Sequence, residues 1–141
     1  IGKDKFLCDV NILLDFFLER SSKQKQLNQL FEALNENRLS GFVSVSIIQT
    51  CIFYLNQSKG DLVTRDIVRV IIQKFDVIDG QPDDILNAVN SSQYDLEDAI
   101  HYSIALRNKM DAILTSDKNF QKLSKPYLPV LSIEELASAL V

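Results

Sequence analysis

The chain has 141 residues, of which 46% are hydrophobic and 24% charged, and its formal net charge is -4. That length holds one domain, spanning 1–141, with a sizeable core, and the composition excludes a disordered chain. No apolar run is long enough to span a bilayer, and the acidic balance excludes a protein that coats nucleic acid through bulk charge.

In chain order, short runs rich in Val, Ile and Phe alternate with longer segments of helical period, the pattern of a parallel sheet covered by helices on both faces. Strands are expected at Lys5-Asp9, Gly41-Val45, Phe75-Ile78, Ala112-Thr115 and Val130-Leu131. The first leads into a helix from about Asn11 to Glu19. A second helix, Gln26-Asn35, carries Leu27, Leu30, Phe31 and Leu34 on one face. Helices follow at Ile47-Gln57 and Asp61-Gln73, the latter with Val63, Ile67, Val70 and Ile71 as its stripe, and Gly60 turns the chain between them. Pro82 fits the first turn of a helix carrying Ile85, Leu86 and Val89, which Ser91-Ser92 ends. Asp95 opens the next helix. Pro126 and Pro129 place the last short strand at a sheet edge, and Ser132 and Glu135 have capping-box spacing for a helix from Ile133 to Leu140.

Three acids stand where apolar surroundings make a carboxylate costly unless a cation or hydrogen-bond donors compensate it. Asp9 follows the first strand, with Asn11 two residues on. Asp98 precedes the apolar stretch from Ala99 to Leu106, and Asp117 follows Ala112-Ile113-Leu114-Thr115. In an open parallel sheet, ligands bind beyond the carboxyl ends of the strands, where strand order reverses. If the first and fourth strands are neighbours there, Asp9, Asp98 and Asp117 converge on one oxygen-lined pocket. Carboxylates with no nearby cysteine suit Mg²⁺ or Mn²⁺ better than Zn²⁺.

Each acid also has a structural reading: Asp9 as a helix cap, Asp98 as a favourable charge at a helix N-terminus, Asp117 as a turn residue. His101 fits a packed, hydrogen-bonded residue better than a catalyst. An RNA ligand would need a local basic rim, for which Lys23, Lys25, Arg65, Arg69, Arg107, Lys109, Lys118 and Lys122 are candidates. Cys8 and Cys51 lie outside any CxxC pair and read as buried free thiols. With the charged opening Ile1 to Phe6, which lacks the pattern of a signal peptide, they point to the cytoplasm.

The runs Cys8-Asp9-Val10-Asn11-Ile12-Leu13-Leu14-Asp15, Asp95-Leu96-Glu97-Asp98-Ala99-Ile100 and Ile113-Leu114-Thr115-Ser116-Asp117-Lys118-Asn119-Phe120 resemble the PIN-domain nucleases, which include VapC-type toxins. The likeness extends from Phe6 to Leu136. It implies a three-layer α/β/α sandwich around about five parallel strands and Mg²⁺- or Mn²⁺-dependent cleavage of single-stranded or structured RNA. It further implies a small antitoxin partner that places a basic side chain in the acidic pocket. By this resemblance Asp9, Asp98 and Asp117 match the family's metal-holding acids, Asn11 its polar partner and Thr115 a site-ordering hydroxyl, with Glu97 beside the matched acid. One departure stands out. Where the family carries a glutamate early in the helix after the second strand, this chain has Thr50, with Gln49 beside it. Asp15 or Glu97 is then the candidate for the missing oxygen. A PIN-like module that binds RNA or protein without cutting is the rival reading. A phosphotransferase fits less well, because it needs an acid at Asn11, and no Gly-rich phosphate loop is present. Small domains of this kind commonly pair as two-fold homodimers.

Overall fold

The computed structural model describes residues 4–91 and 94–139. The sequence expectations at Ser92 and Leu140 lie outside the described residues. Five strands, β1 (Asp4–Cys8), β2 (Leu39–Ser44), β3 (Phe75–Ile78), β4 (Ala112–Leu114) and β5 (Val130–Leu131), form one sheet in the order β3-β2-β1-β4-β5, with every pair parallel. A parallel sheet needs a crossover between successive strands, and helices supply each of them. Helices α1 (Val10–Phe17) and α2 (Gln24–Asn35) join β1 to β2, and α3 (Val45–Lys59) and α4 (Asp61–Lys74) join β2 to β3. Helices α5 (Pro82–Asn90) and α6 (Leu96–Arg107) join β3 to β4, the short α7 (Lys118–Gln121) follows β4, and α8 (Ile133–Ala139) follows β5.

Right-handed crossovers put connections that step in opposite directions on opposite faces of a sheet. Helix α1 packs on α2 and α3, α3 on α4 and α2 on α8, forming one layer, while α5 packs on α6 in the other. The result is a three-layer α/β/α sandwich. The expected edge strand is indeed at the edge, and the last helix carries its capping box: Glu135 N–H donates to Ser132 Oγ at 3.2 Å and Ser132 N–H to Glu135 Oε1 at 3.1 Å.

The core explains why these segments fold. Leu27, Leu30, Phe31 and Leu34 of α2 are buried as their spacing requires, and the Phe16 and Phe31 rings stack with centroids 3.6 Å apart. β2 passes Phe75 so closely that a Cβ on Gly41 would lie 2.6 Å from that ring, which is why the strand carries glycine at this point. Cys8 and Cys51 are buried and free, and burial pushes both thiols up, that of Cys51 to about 11, which disfavours the reactive thiolate. Among the described residues no helix is long and apolar enough to cross a membrane.

Apolar residues do not all face the core. Ile85, Leu86 and Val89 of α5 point outward, each more than half exposed. The helix instead buries Ala88 and Asp84, because α5 is the outer partner of α6, and Asp84 receives Arg107 from α6 at 2.9 Å. On α4 the expected stripe holds at Ile71, which is buried, and Ile67, which packs against the core, but Val63 is exposed and Thr64 is buried.

Candidate functional site

β1 runs leftward into β2 through its crossover, whereas β4 runs rightward into β5, so strand order reverses between these two neighbours. Asp9 sits immediately beyond β1, and its N–H donates to Leu114 O at 2.9 Å, which fixes the two strand ends side by side. Its side chain serves two masters. Oδ1 accepts the Val10 N–H at 2.8 Å as the N-cap of α1, and Oδ2 accepts the Thr115 hydroxyl at 2.8 Å.

Thr115 is fully buried, and its Oγ1 in turn accepts the Asp117 N–H at 3.1 Å, so one hydroxyl ties the acid after β1 to the loop after β4. Asn11 completes this link. Its Nδ2 lies 3.5 Å from Asp9 Oδ2 and 3.4 Å from Thr115 Oγ1, while its Oδ1 accepts the Ser116 N–H at 3.1 Å. Asp117 caps the short helix α7, accepting the Asn119 N–H at 2.8 Å. Asp98 stands in the first turn of α6, where its N–H donates to the capping Asp95 at 3.0 Å.

Asp9, Asn11, Glu97, Asp98 and Asp117 all line one cleft of about 460 Å³, together with Asp95, His101, Thr50, Arg20 and Tyr54. Thr115 lies behind its wall. Asp15 does not line the cleft and is instead paired with Arg20 at 2.7 Å, so of the two candidates for the missing oxygen only Glu97 is in place. The electrostatics reflect the crowding: burial first, then Asp95, Asp117, Asp9 and Glu97 in turn, push the Asp98 carboxyl up to about 7.

The acids share a cleft without closing on a point. Among the described residues no three His, Cys, Asp or Glu side chains form a ready metal-holding group. The expected convergence is therefore looser than the sequence reading, for a physical reason: like charges repel, and Asp9 and Asp117 are each held by backbone N–H groups of their own helix caps. The donor set nevertheless fits a hard divalent cation. It consists of carboxylate, amide and hydroxyl oxygens, and the raised Asp98 carboxyl marks negative charge in want of a positive partner.

Of the basic residues singled out in the sequence none lines this cleft, and several are engaged elsewhere: Arg65 with Asp61, Arg69 with Asp66, Arg107 with Asp84 and Lys23 with Glu134. Arg20 and Tyr54, which the sequence reading passed over, do line it. For Tyr54 the spacing held a signal, since it lies one helical turn beyond Thr50.

The PIN-domain family model matches residues 5–119 of this chain. The chain belongs to the PIN-domain family. This PIN domain is 25% identical over 140 residues to Ribonuclease VapC1 of Aquifex aeolicus (strain VF5), covering 96% of this chain and 94% of that protein. Its fold matches the Mycobacterium tuberculosis VapC20 toxin, described as cleaving the sarcin-ricin loop, with a TM-score of 0.67, 10% identity and coverage of 83% of this chain and 93% of that one. It also matches a toxin-antitoxin complex from Klebsiella pneumoniae, with a TM-score of 0.64, 22% identity and coverage of 86% and 93%.

The raised Asp98 carboxyl has a consequence for the stability of the PIN domain. A group whose folded-state pKa lies above its usual value near 4 holds its proton more tightly when folded, so stability falls as pH rises from about 4 through 7. Asp98→Asn is expected to raise the melting temperature at pH 8 by a few degrees and leave it unchanged at pH 4, as read by thermal melts across that range. Equal effects at both ends would show that Asp98 is not crowded by its neighbours.

Proposed function

We propose that this PIN domain is a metal-dependent endoribonuclease, the toxin of a toxin–antitoxin pair, acting in the cytoplasm as a single domain that pairs into a two-fold homodimer. The observation that carries the reading is the Thr115 hydroxyl, which holds the acid beyond β1 and the backbone leading to the acid beyond β4 at one strand-order reversal, with Asp98 facing the same cleft. In this reading Asp9, Asp98 and Asp117 hold Mg²⁺ or Mn²⁺, and Asn11, Thr115 and Glu97 order the site around them. When bound, the cation supplies an activated water and neutralises charge building on the phosphate. The chain's own residues do the rest. Thr115 and Asn11 fix the Asp9 carboxylate at a set position, and the buried wall behind it limits the access of bulk water. The acidity of the cleft also explains how a small antitoxin partner would silence it, by inserting a basic side chain among the carboxylates.

A second reading, a module that binds RNA or a protein without cutting, is favoured by Thr50, a neutral residue in the cleft where the family places glutamate. Incubating the purified protein with unpaired and hairpin RNA in Mn²⁺ separates the two. Cleavage that stops on adding chelator supports the nuclease; RNA binding without cleavage at any Mn²⁺ concentration favours the module.

A further inference from the structure

The cleft is not lined by acids alone. Arg20, from the turn after α1, and Tyr54, on α3, line it too, and Arg20 is the one Lys or Arg side chain that does so among the described residues. Its placement there is built into the chain. Glu19, at a φ of +49°, ends α1 in the left-handed region, so that Glu19 N–H donates to Phe16 O and Arg20 N–H to Asp15 O, both at 3.3 Å. That turn brings Arg20 back beside Asp15, whose Oδ1 accepts the Arg20 Nε–H at 2.7 Å. The guanidinium is thereby oriented through one nitrogen, with its remaining N–H groups in a fork suited to phosphate oxygens.

Tyr54 lies one turn beyond Thr50 on α3, about half exposed, and its ring is braced edge-on against Phe53 with centroids 5.2 Å apart. An exposed, braced aromatic ring and an oriented guanidinium lining one cleft are the combination that binds an unpaired strand, with the base stacked and its phosphate paired.

We propose that Arg20 and Tyr54 form the strand-holding wall of the cleft, with Arg20 pairing a phosphate and Tyr54 stacking a base of unpaired RNA. This inference rests on the RNA reading above and adds to it the residues that hold the strand; a duplex, whose base faces are covered, would offer Tyr54 nothing to stack on.

The test measures binding of a fluorescein-labelled unpaired RNA by anisotropy in Mg²⁺, with every protein carrying Asp117→Asn so that the strand stays intact. Adding Arg20→Ala should weaken binding and make the slope of log affinity against log salt shallower by about 0.7, the loss of one phosphate contact to a single strand. Arg20→Lys should restore the slope. Tyr54→Ala should weaken binding by about 5- to 100-fold without changing the slope, whereas Tyr54→Phe should bind as the parent does. Unlabelled duplex should compete poorly. If the parent binds RNA and both alanine variants bind equally well, or Tyr54→Phe loses as much as Tyr54→Ala, this wall is not the strand site and the RNA reading stands without it. If the parent binds no RNA, the RNA reading fails and the inference with it.

Discussion

Replacing Asp9 by Asn is expected to lower Mn²⁺-dependent RNA cleavage by more than about 100-fold while leaving the fold intact, because groups that merely support a metal's ligands are worth about 10- to 100-fold and a ligand is worth more. The fold should survive because asparagine keeps one oxygen to accept from either Val10 N–H or the Thr115 hydroxyl, the two bonds Asp9 now makes. One lost hydrogen bond costs about 1 kcal/mol. Relief of the repulsion that Asp9 exerts on Asp98 acts in the opposite direction. Single-turnover cleavage and thermal melts on the same preparation check both halves, and a variant that cuts RNA at the parent rate would remove Asp9 from the site.

The second large effect lies away from the cleft. Asp84 is 1% exposed, and burial alone would raise its carboxyl, yet Arg107, the Gln81 N–H and the Ser103 hydroxyl together hold it below the usual carboxylate range. Arg107 reaches it with Nε at 3.1 Å and Nη2 at 2.9 Å and also donates to Asp79 O at 2.7 Å, so one guanidinium joins α6 to the start of α5 and the end of β3. Arg107→Met keeps the apolar stem but strands a buried carboxylate, and urea unfolding should show a loss of about 3 kcal/mol at pH 7. A depressed carboxyl adds stability above its usual pKa that is lost as pH falls through the depressed value. The parent's advantage over Arg107→Met should therefore shrink in acid. A loss below about 0.5 kcal/mol at pH 7 would mean that the pair is no stronger than a surface ion pair.

The legible part of the fold was the part that periodicity governs. Alternating apolar runs and helical stripes gave the five strands and the helices between them, whereas the adjacency of the strands bearing Asp9 and Asp117 stood only as a condition, which the sheet order meets. Burial on α5 was not legible. The sequence names Ile85, Leu86 and Val89 on this helix without showing which way they face, and the buried Asp84, paired with Arg107, shows that the opposite side packs inward. Helix α7, four residues long, is too short to show a period. At the site, Asp9 and Asp117 could be singled out by their positions at strand ends and Asp98 by the apolar stretch after it, but not the direction of the Asp9 and Asp117 carboxylates, which helix caps and the Thr115 hydroxyl decide. Arg20 was hidden for a different reason: a left-handed Glu19 that carries no glycine signal turns it into the cleft.

The central claim is that these acids hold a divalent cation, and calorimetric titration of Mn²⁺ tests it most directly. Thr50 Oγ1 donates to Ser46 O at 3.0 Å, one turn back on α3, while the residue lines the cleft, so Thr50→Glu adds a carboxylate to the cleft. Affinity for hard cations rises with ligand charge. The account predicts saturable Mn²⁺ binding to the natural chain, tighter binding to Thr50→Glu, and at least about tenfold weaker binding to Asp9→Asn. Absence of saturable heat with the natural chain, or Asp9→Asn binding Mn²⁺ as tightly as the parent, would contradict it.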